Sequence, residues 1–191
     1  MSPEDTANAA WDRPLEVLFE VPGLPDFPLP GSLARHHGGS FGFPRERLFA
    51  NFVASIDGVV ALATNAESGH IISRGNEADR FVMGLLRASA DAVMIGAGTF
   101  RKATGHLWQA GAIYPAGAAH FVEMRRRLGL RDDPTLVIVT ASGLIDGAQP
   151  AVRDAIIVTI PAGETTLRAR VPPTARILVL DGPTICLAEV V

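Results

Sequence analysis

The chain of 191 residues is short of several things, and each shortage removes a class of function. A single cysteine, Cys186, rules out an internal disulfide and leaves no sulfur pair for a zinc site. The formal net charge is only -3, which gives no global electrostatic reason to bind nucleic acid or an anionic membrane. No apolar run approaches the roughly 20 residues that cross a bilayer. The first residues, Met1-Ser2-Pro3-Glu4-Asp5, are acidic and lack the apolar centre of a secretory leader. A cytoplasmic protein with no nucleic-acid and no membrane partner is expected.

What is present is an apolar content of 48% with 19% charged residues, suited to one well-cored domain. Residues 1–46 stand apart, with Pro14, Pro22, Pro25, Pro28, Pro30 and Pro44 alternating with Gly23, Gly31, Gly38, Gly39 and Gly42. That composition predicts an extended arm without regular helix or sheet. Its Leu15, Val17, Leu18, Phe19, Leu24, Phe27, Leu29 and Phe41 call for packing against the domain or a partner subunit. His36-His37 beside Gly38-Gly39 is expected in a flexible loop, because no carboxylate or cysteine lies at metal-ligand spacing. No metal site is expected anywhere.

Residues 47–191 read as a single nucleotide-binding domain. Apolar runs at 48–54, 91–95, 135–140, 155–160 and 176–180 suggest strands covered on both faces, typical of a mainly parallel central sheet flanked by helices. Ala78, Phe81, Val82, Leu85 and Leu86 repeat at helical spacing after Ser73 or Asn76, either of which could cap. A second helix at about 116–128 should turn Ala119, Val122 and Leu128 inward, with Arg125-Arg126-Arg127 as a solvated, dipole-complementing end.

In open α/β sheets ligands bind beyond the carboxyl ends of the strands. Ile95-Gly96-Ala97-Gly98-Thr99 ends one strand and opens a helix, so its bare backbone suits a phosphate. Ala54-Ser55-Ile56-Asp57-Gly58 and Thr140-Ala141-Ser142-Gly143 end two others. Turn chemistry alone also selects Ser, Asp and Gly at such places.

Asn51-Phe52-Val53-Ala54-Ser55-Ile56-Asp57-Gly58, then Ser68-Gly69-His70-Ile71-Ile72-Ser73, then Leu86-Arg87-Ala88 through Gly96-Ala97-Gly98-Thr99-Phe100-Arg101 resemble, in order, the signatures of the riboflavin-biosynthesis pyrimidine reductase family. This is the reductase domain of bifunctional riboflavin deaminase/reductases. The resemblance implies an α/β fold of the dihydrofolate reductase type. It implies NADPH as cofactor and a phosphorylated small-molecule substrate, a phosphoribosylamino-pyrimidine reduced at C1′ of its ribose. By position in the family, Gly96, Gly98 and Thr99 would hold the cofactor's phosphates, Thr140 and Ser142 would lie near its adenosine ribose and 2′-phosphate, and Ala54 and Asp57 would border the nicotinamide and substrate. Gly182, Pro183 and Thr184 would complete the cofactor set. Asn51, Ser55, Ser68, His70, Ser73 and Arg87 would meet the substrate, and Asp57 is the candidate catalytic carboxylate, for proton transfer or for holding a sugar hydroxyl. His70 stands where many members have a tryptophan. Residues 103–115, with Thr104-Gly105-His106-Leu107-Trp108, look like a stand-alone subgroup.

The family usually has Glu-Gly-Gly-Pro-Thr-Leu, then a helix and further strands; this chain has Leu180-Asp181-Gly182-Pro183-Thr184-Ile185 and ends at Val191. A shortened member is expected, with weakened cofactor binding and a homodimer partner to cover the open sheet. A non-catalytic NADP-binding remnant and a dihydrofolate reductase-like enzyme with another substrate are the alternatives.

Overall fold

The structure is a computed structural model and describes residues 14–19, 21–43, 46–63 and 68–190. Pro44 and residues 1–13, 20 and 45 of the arm lie outside the described residues. Four parallel strands form the centre: β3 Ala92–Gly96, β4 Thr135–Val139, β5 Ile156–Thr159 and β6 Arg176–Val179, in the spatial order β3-β4-β5-β6. Two residues of the arm on each side, β1 Asp26–Phe27 and β2 Phe41–Gly42, make a small antiparallel pair.

The parallel sheet has a helical face and a thin one. Successive residues of a strand point to opposite faces. Leu136, Ile138 and Ile157 therefore face one way, where they pack with Phe100, Ala103, Trp108, Val152 and Leu167. Val137 and Val158 face the other way, covered by Leu180 with Ile185 and Val190 from the tail. Leu178, on the outermost strand, stays 46% exposed. A second core lies between helices Glu77–Ser89 and Ala118–Leu128, where Phe81, Leu85, Phe121 and Met124 are buried.

Five sequence expectations are corrected here. The arm is not free of regular structure: Gly31–His37 is helical, because Pro30 stands at its N-cap and Gly38, at φ 87°, ends it. Proline and glycine bracket this helix instead of interrupting it. His36 and His37 close the helix rather than a loop, and the His36 ring lies edge-on to Phe81 and Tyr114. Leu29 and Leu33 carry the arm into the Phe81 core.

The run 48–54 is not a strand. A strand must pair its backbone groups, and this segment pairs with none of β3 to β6; it runs solvated, with Phe52 73% exposed. On helix Ala118–Leu128 the inward residues are Phe121, Met124 and Arg125, while Val122 is 54% exposed and Ala119 is exposed. The face is therefore set one position away from the expected one. Arg125 consequently leaves the solvated run: only Arg126 and Arg127 are on the surface, both paired with Glu123.

Candidate functional site

Because all four strands run parallel, their carboxyl ends share one edge of the sheet. The register aligns Gly96 with Val139 and Val139 with Val158, and puts Val179 beside Thr159. The segments leaving that edge contain Gly96, Gly98 and Thr99, then Thr140 and Ser142, then Gly182, Pro183 and Thr184. Eight of the residues expected to meet the cofactor are thus brought to one edge, spread over three strand spacings, roughly 14 Å.

The glycines of this edge do two different jobs. A side-chain carbon added at Gly143 would stand 2.3 Å from the Gly163 carbonyl oxygen, and one at Gly163 would stand 2.5 Å from the Ala141 carbonyl oxygen. Those two glycines let the turn after β4 and helix Pro161–Arg168 close on each other. Gly96 and Gly98 are different: a carbon added at either meets nothing within 4 Å, and Gly96 has an ordinary φ of -78°. Neither packing nor backbone strain asks for glycine there, while an approaching ligand would.

The turn after β4 is tied to the helix that opens at Ala97. Thr140 is buried and its Oγ1 accepts the Gly143 N–H at 3.1 Å, which shapes the turn from within. Ser142 is exposed, and its Oγ accepts the Leu144 N–H at 3.3 Å. The carbonyl of that same Leu144 accepts a hydrogen bond of 3.0 Å from Nη1 of Arg101, on helix Ala97–Lys102. Arg101 lies in the recognised stretch but carried no expectation; the signal that could have singled it out is a basic residue one helical turn past Ala97.

A second group gathers the substrate-side candidates. Ser55 to Val59 is a compact turn in which the Ser55 N–H donates to the Val59 carbonyl at 3.0 Å, with Gly58 at φ 84°. The Ser55 hydroxyl donates to the Asp57 carboxylate, and that bond is the main reason the Asp57 carboxyl titrates below the usual carboxylate range. Fully exposed Asp57 is therefore ionised at neutral pH. As it stands it accepts hydrogen bonds and does not donate a proton. Ser68 opens helix Ser68–Ser73 and its Oγ accepts the Leu62 N–H at 2.9 Å, and Val53 lies against Gly69. Val53 and Leu62, on either side of Ala54, Ser55 and Asp57, so touch the helix carrying Ser68, His70 and Ser73. Ser73 in turn bonds Asp79 on the next helix; burial outweighs that bond and pushes the Asp79 carboxyl up.

Arg87 belongs to neither group. It ends helix Glu77–Ser89, which delivers the chain to the amino end of β3, about 13 Å of strand away from Gly96. Its guanidinium lies 5.3 Å from the centre of the Trp108 ring and donates to the Met83 sulfur at 3.2 Å and, at the 3.5 Å limit, to the Gln109 carbonyl. Gln109 is bonded to Asp133, just before β4. The backbone of Arg87 thus lies near the amino end of β3, while its guanidinium stacks on Trp108, which packs in the same core as Ala97 and Phe100.

Beyond β6, Leu180 is 9% exposed and packs on Val137 and Val158. The place of the family's glutamate is a core position in this chain. Asp181 is exposed and Gly182 adopts φ 101°, so the turn retains a glycine where the backbone is left-handed.

Among the described residues no group of three or more His, Cys, Asp or Glu could hold a metal ion, and no helix is long and apolar enough to cross a membrane. A family model described as the RibD C-terminal domain matches residues 46–189. The fold is similar to the crystal structure of a pyrimidine reductase-like protein from Corynebacterium diphtheriae, with a TM-score of 0.54 and 20% identity over 72% of this chain. This chain spans 56% of that structure's length. No curated protein matches.

Proposed function

Since the chain belongs to the RibD C-terminal domain family of riboflavin-pathway reductases, we propose that it is an NADPH-dependent reductase acting at C1′ of the ribose of a phosphoribosylamino-pyrimidine. The observation that carries this reading is the pair Gly96 and Gly98, bare of side chains at the carboxyl edge of the sheet without any internal need to be so. The cofactor supplies the hydride, the substrate is its open-chain imine, and one proton completes the amine.

In this reading the chain's own residues bind and orient. Gly96, Gly98 and Thr99 take the pyrophosphate, Ser142 the adenosine ribose, and Gly182, Pro183 and Thr184 the opposite flank. Thr140 acts from beneath, by fixing the turn that presents Ser142. Ala54 borders the nicotinamide. Asp57, ionised and exposed, holds a sugar hydroxyl, with Asn51, Ser55, Ser68, His70 and Ser73 around the pyrimidine. Arg87, near the amino end of β3, takes the substrate's phosphate at a distance from the glycine turn that takes the cofactor.

The open outer edges of β3 and β6 and the exposed Leu178 support a homodimer as the working unit. A second reading, a nucleotide-binding remnant without turnover, is favoured by Leu180, whose apolar side chain replaces a carboxylate of the family motif. Purified protein is mixed with NADPH and the pyrimidine phosphate, and oxidation is followed by absorbance. Turnover supports the enzyme; saturable NADPH binding without turnover supports the remnant; no NADPH binding refutes both.

A further inference from the structure

Three consecutive apolar side chains of the arm stand in solvent: Val17, Leu18 and Phe19 are 55%, 88% and 82% exposed. The residue two places before them is fixed, since Leu15 joins the Phe81 core and its N–H donates to the His36 carbonyl at 2.7 Å. Residues 16–19 make no backbone hydrogen bond to any other described residue, although Val and Phe favour strands. The sheet offers what this segment lacks. The outer edge of β6, Arg176–Val179, pairs with no described strand, and Leu178 is exposed on its thin face.

Laid alongside in parallel, as the strands of this sheet run, Glu16-Val17-Leu18-Phe19 meets Arg176-Ile177-Leu178-Val179 residue for residue. Leu18 then covers Leu178, Val17 and Phe19 continue the face on which Ile177 packs, and Glu16 lies beside Arg176. Glu16 and Arg176 are both exposed, and neither has an ion partner among the described residues. The other open edge fits worse: β3 is preceded by exposed Asp91, which repels Glu16. The helices around the Phe81 core pack on one another, whereas β6 packs on β5 and helix Pro161–Arg168. From Leu15, residues 16–19 reach at most about 14 Å. A second copy brings its β6 to the arm without that limit.

We propose that residues 16–19 of one copy add as an outer strand to β6 of a second copy, in a reciprocal exchange that closes a two-fold pair. This rests on the homodimer reading above and names the surfaces that meet; the arm precedes the family match, which begins at residue 46.

Sedimentation of the full chain is expected to give twice 20.2 kDa, about 40 kDa. Leu18→Asp should raise the dimer dissociation constant by at least about 100-fold, since two Leu contacts are lost per pair. Glu16→Arg or Arg176→Glu alone, each setting like charges together twice, should raise it by about 10-fold, and the two combined should return it to within about 3-fold of wild type. In a Cys186→Ser background, Leu18→Cys with Leu178→Cys in one chain should oxidise to a disulfide-linked dimer, because neighbouring strands hold such positions about 5 Å apart. A monomeric wild-type chain overturns the homodimer reading and this proposal together. A dimer unmoved by Leu18→Asp, or charge reversals that the combined variant does not repair, overturns the proposal alone. So does a cysteine bridge that closes within one chain, which would assign the arm to its own edge.

Discussion

Three consecutive arginines on one helix should respond to substitution in sharply different ways, and the difference can be worked out from what each one touches. Arg125 is 2% exposed, and its guanidinium donates to four backbone carbonyls: Arg131 at 2.6 Å, Ala90 at 2.7 Å, Arg87 at 3.1 Å and Ala88 at 3.2 Å. Three of those carbonyls lie at the end of helix Glu77–Ser89, where the Ser89 hydroxyl donates to a fourth, that of Leu86. Burial lowers the guanidinium's pKa, while Asp133, Asp91 and Asp132 oppose the shift, so the group stays charged at neutral pH. The two short bonds are worth about 1.5–3 kcal/mol each and the two longer ones, sharing Nη1, together about 1. Returning a guanidinium to water when the chain unfolds recovers several kcal/mol of that. Arg125→Met should therefore destabilise the protein by about 3 kcal/mol, and Arg125→Lys by about half as much, since one ammonium cannot span four carbonyls. Arg126→Ala and Arg127→Ala, which lose only exposed pairs with Glu123, should cost at most about 0.5 kcal/mol each. Urea unfolding at pH 7 of the four variants measures this. Equal effects at the three positions, or a loss below about 1 kcal/mol in Arg125→Met, would refute the assignment of Arg125 as the clamp between the two helices.

The glycines offer a second contrast. Gly143→Ala should destabilise by about 3 kcal/mol, because φ is 68° and the new carbon meets the Gly163 carbonyl, whereas Gly96→Ala should leave unfolding unchanged within about 1 kcal/mol. Gly98→Asp should also fold normally, but lose NADPH affinity by about 10-fold or more, because it sets a carboxylate where phosphates are read to bind; unchanged calorimetric affinity counts against that turn. Ser55→Ala removes the bond that depresses the Asp57 pKa, so Asp57 should titrate at higher pH in the variant, as followed by carboxyl-carbon NMR. The sign is fixed by linkage: a depressed carboxyl favours folding above its ordinary pKa and loses that contribution as pH falls through its folded value. Leu180→Glu would place a carboxylate against Val137 and Val158 and should cost about 3 kcal/mol in denaturant titration; a stable variant with tighter NADPH binding would show that the family's glutamate still fits.

Much of the sheet was legible because its strands carry the signal that periodicity reads. Val93 to Ile95, Leu136 to Val139 and Ile156 to Val158 are apolar on both faces, and both faces are used. Helix Glu77–Ser89 was legible at its start too, where Asn76 Oδ1 accepts from the Ala78 and Asp79 amides. The failures have a common cause. Leu48 to Val53 has the same apolar composition as a buried strand, but pairing is a long-range property that composition does not contain. The helix at 118–128 has an arginine on its buried face, and a hydrophobic count discards Arg125 as surface although its charge is satisfied by carbonyls. Gly31–His37 was hidden by flanking prolines and glycines that turn out to be its caps.

The order of the motifs along the chain identified the family, yet it could not say which of them meet in space. Chain order puts Arg87 only nine residues before Gly96. A helix end and the far end of the following strand, however, are held apart by the strand itself, and here that strand is β3. The converse holds for Arg101, which reaches the Leu144 carbonyl 43 residues on because β3 and β4 are neighbours with aligned carboxyl ends. Adjacent parallel strands make this the general case: groups that follow corresponding ends of neighbouring strands share a ligand, and groups at opposite ends of one strand do not. Arg87 stacks on Trp108 at the end of the helix that Arg125 clamps.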